Sequence, residues 1–414
     1  MRLLVLTHRL PVPPRKGEKI RALNVIKHLS ARHEIYLGTL VDDVADLAHL
    51  GDLRPWVKCC RYRRLMPRVK KSLALASVLR GRSASVDYFY SDALQSDVDM
   101  FLEHEGVEGV VCSSSPMAEY LFRSKHITRV KEITKIMDLI DVDSVKWADY
   151  AAKSTWWRAL LYRREAQVLG AYERRIAESF DQVLLVSDAE RRSFPQSPVP
   201  PNVRVMANGV DLEFFSPTFR SSQAIDRPSL VFTGVMDYKP NVDGVTWFVE
   251  RVFPQILRVE PNVRFYVVGN RPTASVRRLA KQSGVTVTGL VDDVREYIGA
   301  ADICIAPLRI ARGIQNKVLE AMAMGKPVVA TRVAFEGIDA RPGRDLLVTD
   351  DEASFAAATI ALLKDPMRRA LIGTHARRCA ESRYAWDRHL NILDHCLDRH
   401  AISDPVESAR PKVG

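Results

Sequence analysis

The chain has no run of about 18 uncharged apolar residues, so a membrane-spanning helix is not expected. Its amino end, MRLLVLTHRLPVPP, offers five apolar residues before polar ones return, and no small-residue cleavage site follows. A secretory leader is therefore not expected either, and the cytoplasm is the expected compartment. There is also no C-x-x-C pair: Cys59, Cys60, Cys112, Cys304, Cys379 and Cys396 are scattered. Cys112 and Cys304 fall inside apolar runs, where a thiol behaves as a small hydrophobe, so neither a disulfide framework nor a zinc site is expected. No short-period repeat is visible. With 47% hydrophobic and 27% charged residues, disordered and fibrous classes are excluded as well.

Positive charge is what the chain has in excess: its 414 residues carry a net +11. Such a balance suits nucleic acid, anionic lipid or phosphorylated substrates. No recognised nucleic-acid-binding motif accompanies it, and a nucleic-acid partner is not expected. Two stretches interleave basic with apolar residues, RYRRLMPRVKKSLALASVLRGR (61–82) and WWRALLYRREAQVLGAYERR (156–175). They read either as amphipathic helices packed on their own domain or as a basic-aromatic surface resting on an anionic bilayer.

The length is too great for one ordinary core and suits two domains. Apolar runs at 3–7, 35–40, 110–114, 136–140 and 183–187, then at 230–234, 265–269, 285–289, 303–307 and 328–331, alternate with helical patterns. Such runs predict strands buried on both faces with helical crossovers, hence an α/β chain of two doubly wound, Rossmann-like domains. The proline-rich FPQSPVPPNVR (194–204) predicts an extended linker. The division is placed at 1–200, 201–385 and a terminal helix with its tail, 386–414, packing back toward the first domain. Open sheets of this kind bind ligands beyond the carboxyl ends of their strands, and two of them facing each other would enclose a cleft.

After the first strand, Pro13 and Pro14 keep the loop extended and Gly17 opens a helix through Ile20, Leu23, Ile26 and Leu29. A glycine there lets a ligand approach the backbone, and free N–H groups attract phosphate. Arg15, Lys16 and Lys19 add charge; the alternative is a plain turn. In ARGIQNKVLEAMAMGKPVVAT (311–331) a helix is predicted from near Ile314 or Gln315 to Gly325. Val318, Leu319 and Met322 form its buried face, while Asn316 and Glu320 share another. Gly313 opens an N-terminus in position to receive phosphate. A carboxylate one turn inside can accept two hydrogen bonds from a ribose diol; the alternative is a solvated surface glutamate.

The pattern G-x-x-x-K-V-L-E-A-M-A-x-G-x-P-V-V-A resembles the donor-binding motif of the family-4 retaining glycosyltransferases, which have the GT-B fold. NGVD (208–211) looks like that family's domain-junction motif. FTGVMDYKPNVDG (232–244) is similar to the loop where a glycine and a basic residue meet the donor diphosphate, here Gly234 and Lys239. VVGNRP (267–272) and VTGLVDDVREYIGAADICIAPLR (287–309) also match, the segment Gly289–Val291 lining the base pocket in such enzymes. HRLPVPPRKGEKIRA, MDLIDVDSVKWADYA (137–151) and GIQNKVLEAMAMGKPVV further resemble the sugar transferases of exosortase (PEP-CTERM) exopolysaccharide systems.

That resemblance implies transfer of a sugar, with retention, from a nucleoside diphosphate sugar to an envelope or exopolysaccharide glycan. The acceptor would be a glycan or a polyprenyl-diphosphate-linked oligosaccharide, with the chain cytoplasmic or peripheral on the inner membrane. It implies a donor site of Gly17, Asn208, Gly234, Lys239, Gly269, Val291, Gly313, Ile314, Gln315, Asn316, Lys317, Val318, Leu319 and Glu320. Charge on the leaving diphosphate falls to Lys239, the helix N-terminus after Gly313, and Arg312 or Lys317. No metal or other cofactor is expected, and the donor half contains no D-x-D. Two departures stand out. The family's first glutamate, eight residues before the second, is here Arg312, and its usual histidine gives way to Asp138, Asp141, Asp143 and Ser144. Asp138 and Asp141 are then candidate catalytic carboxylates or simple turn caps. These departures keep open a non-catalytic nucleotide-sugar sensor or scaffold; a nucleotide-sugar epimerase is a further alternative, against which Arg312 counts because such enzymes need carboxylate pairs near the sugar.

Overall fold

A computed structural model describes residues 1–65, 77, 81–152, 154–311 and 313–401. The chain divides into two compact units, one of residues 1–207 with Leu390 onward, the other of residues 208–389. The division falls at Ala207 and Asn208, a few residues beyond the boundary placed from the proline-rich stretch.

Unit 1 holds β1 (Arg2–Thr7), α1 (Gly17–Ser30), β2 (Glu34–Val41), β3 (Cys59–Arg64), β4 (Gly109–Ser113), β5 (Thr134–Ile140), α2 (Asp143–Ala152), α3 (Trp156–Ser179), β6 (Gln182–Leu185) and β7 (Val203–Val205). Its strands form one parallel sheet in the order β3-β2-β1-β4-β5-β6-β7. Leu3, Leu4, Val5 and Leu6 of β1 are all buried, as a central strand covered on both faces requires. β3, CCRYRR, is an edge strand with much of its surface exposed, and so shows no apolar run. It takes residues 61–64, which the sequence pattern assigned to an amphipathic helix; 66–76 and 78–80 of that stretch lie outside the described residues.

Unit 2 holds β8 (Ser229–Thr233), α4 (Lys239–Trp247), β9 (Arg264–Val268), β10 (Val285–Gly289), β11 (Ile303–Ala306), α5 (Asn316–Ala323), β12 (Val328–Thr331), β13 (Leu347–Thr349) and α6 (Pro366–Arg383). The parallel order is β10-β9-β8-β11-β12-β13. A knot of rings, Phe248, Phe253, Phe265 and Phe355, fills its core, with Phe248 and Phe265 centroids 4.8 Å apart; each such ring contributes about 1.5–3 kcal/mol by leaving water. The terminal helix α7 (Trp386–Ala401) begins in unit 2 and continues in unit 1. In both sheets the strand order reverses beside the first strand, at β1/β4 and at β8/β11, which is where ligands of such sheets bind.

Candidate functional site

In unit 2 the loops leaving β8 and β9 meet at two glycines in left-handed backbone, Gly234 (φ +157°) and Gly269 (φ +152°). A Cβ on Gly269 would stand 1.7 Å from the Gly234 carbonyl oxygen, so only glycine permits the contact. Gly234 N donates to Val268 O at 3.0 Å, Met236 N to Asn270 O at 2.8 Å, and Gly269 N to Gly289 O at 3.2 Å, which laces the ends of β8, β9 and β10 together. Lys317, from the first turn of α5, points at this floor: its Nζ would lie 3.4 Å from a Cβ on Gly234. Nζ donates to Asn241 Oδ1 at 2.6 Å and lies 4.7 Å from the Phe232 ring centroid. Asn241 is itself buried and donates to Val235 O at 2.9 Å. The ammonium is thus held beside a bare main-chain surface.

Helix α5 begins after Gly313 (φ +62°), with Gln315 turning its side-chain amide back to Gly313 O at 3.1 Å. No side chain caps the helix, and the main-chain N–H groups of Asn316 and Lys317 have no partner among the described residues. Asn316 Oδ1 is buried without a partner among them, and the Glu320 carboxylate, one turn further on, accepts no hydrogen bond from them. Burial lowers Lys317 to about 8 against the pull of Glu320, and raises Glu320 to about 7 against the pull of Lys317. Free N–H groups, one cation and two unpaired acceptors therefore lie within two turns, the complement of a phosphate joined to a polyhydroxyl group.

Other expected members fall differently. Val318 and Leu319 turn into the core, and their N–H groups bond to Gln315 O at 2.9 and 3.4 Å, so neither offers a ligand contact. This corrects their assignment to the donor site. Ile314 packs half-buried against the same core, as does Val291 behind the β10 loop. Asn208 opens unit 2; the adjoining Gly209 has no room for a Cβ, which would stand 2.8 Å from Trp386. Lys239 starts α4 but is exposed, without an ion pair among the described residues. Arg312 lies outside the described residues.

In unit 1, Asp138 is not a free carboxylate. Arg21 grips it with Nε at 2.8 and 3.0 Å, both groups almost fully buried, so it joins α1 to β5 and reaches no ligand. This buried pairing with Arg21 overturns the expectation of Asp138 as a catalytic carboxylate. Asp141 remains available: it is half-buried, accepts no hydrogen bond among the described residues, and is raised to about 6 by burial and then by Glu190. It follows a γ-turn in which Asp141 N donates to Leu139 O at 3.0 Å around Ile140 (φ +72°). A β-branched residue there costs about 1–3 kcal/mol, strain of the sort concentrated at functional sites. The positive charge expected near Gly17 is largely spoken for, with Lys19 bonded to Asp46 at 2.5 Å and Lys16 3.6 Å from Asp42. That weakens the phosphate reading of the Gly17 helix start.

His8 was not singled out from the sequence, although it directly follows β1 at the reversal. Burial, then the Arg9 charge, lowers it to about 4, so it is neutral at physiological pH, and its Nδ1 is unpaired. Arg9 bridges Glu18 at 2.5 Å and Asp42 at 3.0 Å beside it. The strand-end rule applied to β1 was the signal that could have found it.

Residues 227–365, inside unit 2, match the family described as Glycosyl transferases group 1. A GDP-mannose-dependent monoacylated alpha-(1-6)-phosphatidylinositol monomannoside mannosyltransferase of Corynebacterium glutamicum is 28% identical over 245 residues, 53% of this chain and 64% of its own. The chain thus spans less than two thirds of that relative's length. Among solved structures, sucrose-phosphate synthase from Thermosynechococcus elongatus aligns with a TM-score of 0.69 at 17% identity, covering 98% of this chain and 100% of that one. HepE of Anabaena in complex with UDP aligns with a TM-score of 0.66 at 14% identity, covering 96% and 100%. The fold is α/β, with two Rossmann-like parallel-sheet domains that match GT-B glycosyltransferase structures.

Proposed function

We propose that the chain is a glycosyltransferase that takes a sugar from a nucleoside diphosphate sugar held by unit 2. The observation that carries this is Lys317, fixed by Asn241 against the bare Gly234 loop, with the open N-terminus of α5 and the unpaired Glu320 beside it. The diphosphate takes the N–H groups and the Lys317 ammonium; the ribose hydroxyls donate to Glu320 and Asn316. As the bond from the anomeric carbon to the diphosphate oxygen breaks, this fixed positive potential stabilises the leaving group. The acceptor hydroxyl oxygen bonds to that carbon as its proton passes to the departing diphosphate oxygen. Lys239, exposed at the start of α4, is a secondary cation for the same group.

A family match in unit 2 and relatives named for GDP-mannose or bound to UDP support a nucleotide-sugar donor without choosing its base. Retention and independence of metal rest on the family-4 sequence resemblance. So does an acceptor in exopolysaccharide or other envelope glycan assembly of the exosortase type. The lipid in the mannosyltransferase relative's name adds support for a lipid-linked acceptor met by a peripheral protein. No described helix is long and apolar enough to cross a membrane. We assign acceptor contacts to the strand ends of unit 1, with Asp141 and His8 as the polar groups. Calorimetry with GDP and UDP tests the donor site: Glu320→Ala should weaken the better ligand on the order of tenfold, about 1.4 kcal/mol. Unchanged affinity would remove Glu320 from the pentose.

A further inference from the structure

The first two turns of α3 carry large apolar side chains into solvent. Trp156 is 82% exposed and Leu160 65%, and Trp157 and Leu161 are exposed beside them. Positions 156, 157, 160 and 161 share one face of the helix, while Ala159 is buried on the other. Single exposed apolar residues are ordinary, but a contiguous group marks a contact surface. The same stretch, WWRALLYRR (156–164), contains three arginines and no carboxylate. Arg158 and Arg163 are exposed, and the Arg158 guanidinium lies 4.9 Å from the Trp157 ring centroid. Arg164 is turned inward to Arg82 O at 3.0 Å. Trp147 lies edge-on to the exposed Tyr150, ring centroids 5.8 Å apart, and tilted against Tyr162 at 5.2 Å.

We propose that this face of α3 docks on an anionic lipid bilayer, with Trp156, Trp157, Leu160 and Leu161 entering the headgroup boundary and Arg158 and Arg163 meeting lipid phosphates. Charge decides the occupant. A second copy meeting this face by a two-fold axis sets arginine against arginine, with no acid in the patch to answer it. A bilayer supplies both the apolar depth and the negative charge that the patch lacks. The proposal deepens the reading of a lipid-linked acceptor and rests on it only for its purpose, because binding to lipid is measured without sugar.

The test is flotation of the full chain with phosphatidylglycerol–phosphatidylethanolamine vesicles, compared with phosphatidylcholine vesicles. Binding to the anionic vesicles alone, released by salt, is expected. Trp156→Ser with Leu160→Ser, and separately Arg158→Ala with Arg163→Ala, should each lower the bound fraction on the order of tenfold. Melting temperature and sugar transfer to a water-soluble acceptor should stay unchanged. Failure of the wild type to float, or equal flotation of the variants, overturns the proposal. So does a concentration-dependent dimer that Trp156→Ser with Leu160→Ser abolishes. Flotation without any transfer defeats the glycosyltransferase reading and leaves the docking intact.

Discussion

Beside the reversal in unit 2, the chain leaves β8 and β9 through glycines packed back to back, and the Lys317 ammonium faces them. At the reversal in unit 1, β1 is followed by His8 and Arg9, and Arg9 is closed onto Glu18 of α1 and Asp42 after β2. The strand orders around the two reversals correspond, yet one end is cleared to the backbone and the other is filled with side chains. Clearing suits a ligand recognised by its phosphates, which main-chain N–H groups and one cation can hold. Filling suits recognition of hydroxyls, whose directions must be matched one by one. The same sheet geometry thus carries two kinds of surface, and the loops after the strands decide which.

The comparison breaks most visibly if the cleared floor tolerates side chains. Gly269→Ala, whose methyl would overlap the Gly234 carbonyl, should destabilise unit 2 by more than ~4 kcal/mol in urea unfolding or prevent its folding. Next in size is the buried pair of unit 1. Asp138→Ala removes the carboxylate that Arg21 grips inside the fold and should cost about 3–5 kcal/mol of stability, while nucleotide affinity of the surviving folded protein is unchanged. Loss of affinity without loss of stability would restore Asp138 as a ligand-facing group.

Lys317→Ala should weaken nucleoside diphosphate binding by roughly 1.5–3 kcal/mol, about ten- to 150-fold. A pH series sharpens this. In the free protein Glu320 sits near 7 and Lys317 near 8. The carboxylate is the acceptor form and is lost as pH falls through about 7, while the ammonium is the binding form and is lost as pH rises through about 8. Affinity by calorimetry should therefore peak between them, and Glu320→Gln should remove the acid limb and, by taking away the charge that holds Lys317 up, move the basic limb to lower pH. The smallest effect belongs to Lys239→Ala, which should lower turnover less than Lys317→Ala does. The reverse ranking would move the diphosphate toward α4.

Much of this was legible before any coordinates. Apolar runs located ten strands of the two sheets to within a few residues, most of them covered on both faces and so with few polar positions to hide them, the half-exposed edge strand β10 being the exception. The exposed edge strand β3 and the three-residue β7 and β13 left no such trace. The helix of the donor motif was placed correctly, starting at Asn316 rather than 314 or 315. What spacing cannot convey is pairing across the chain. Arg21 is 117 residues from Asp138, and Asn241 is 76 from Lys317. So the motif showed two basic residues near the floor, Lys239 and Lys317, without indicating which one is anchored.

The lacing of the β8, β9 and β10 ends bears on how the nucleotide is read. Because Gly234 rests on Gly269, and Gly269 N is tied to Gly289 O, no one of these tips can shift without dragging the other two. Under the proposed donor assignment, a movement at the phosphate end would be carried to the loop beside Val291. Base preference and diphosphate grip should then be altered together by mutations in any of the three tips, as a single inherited unit.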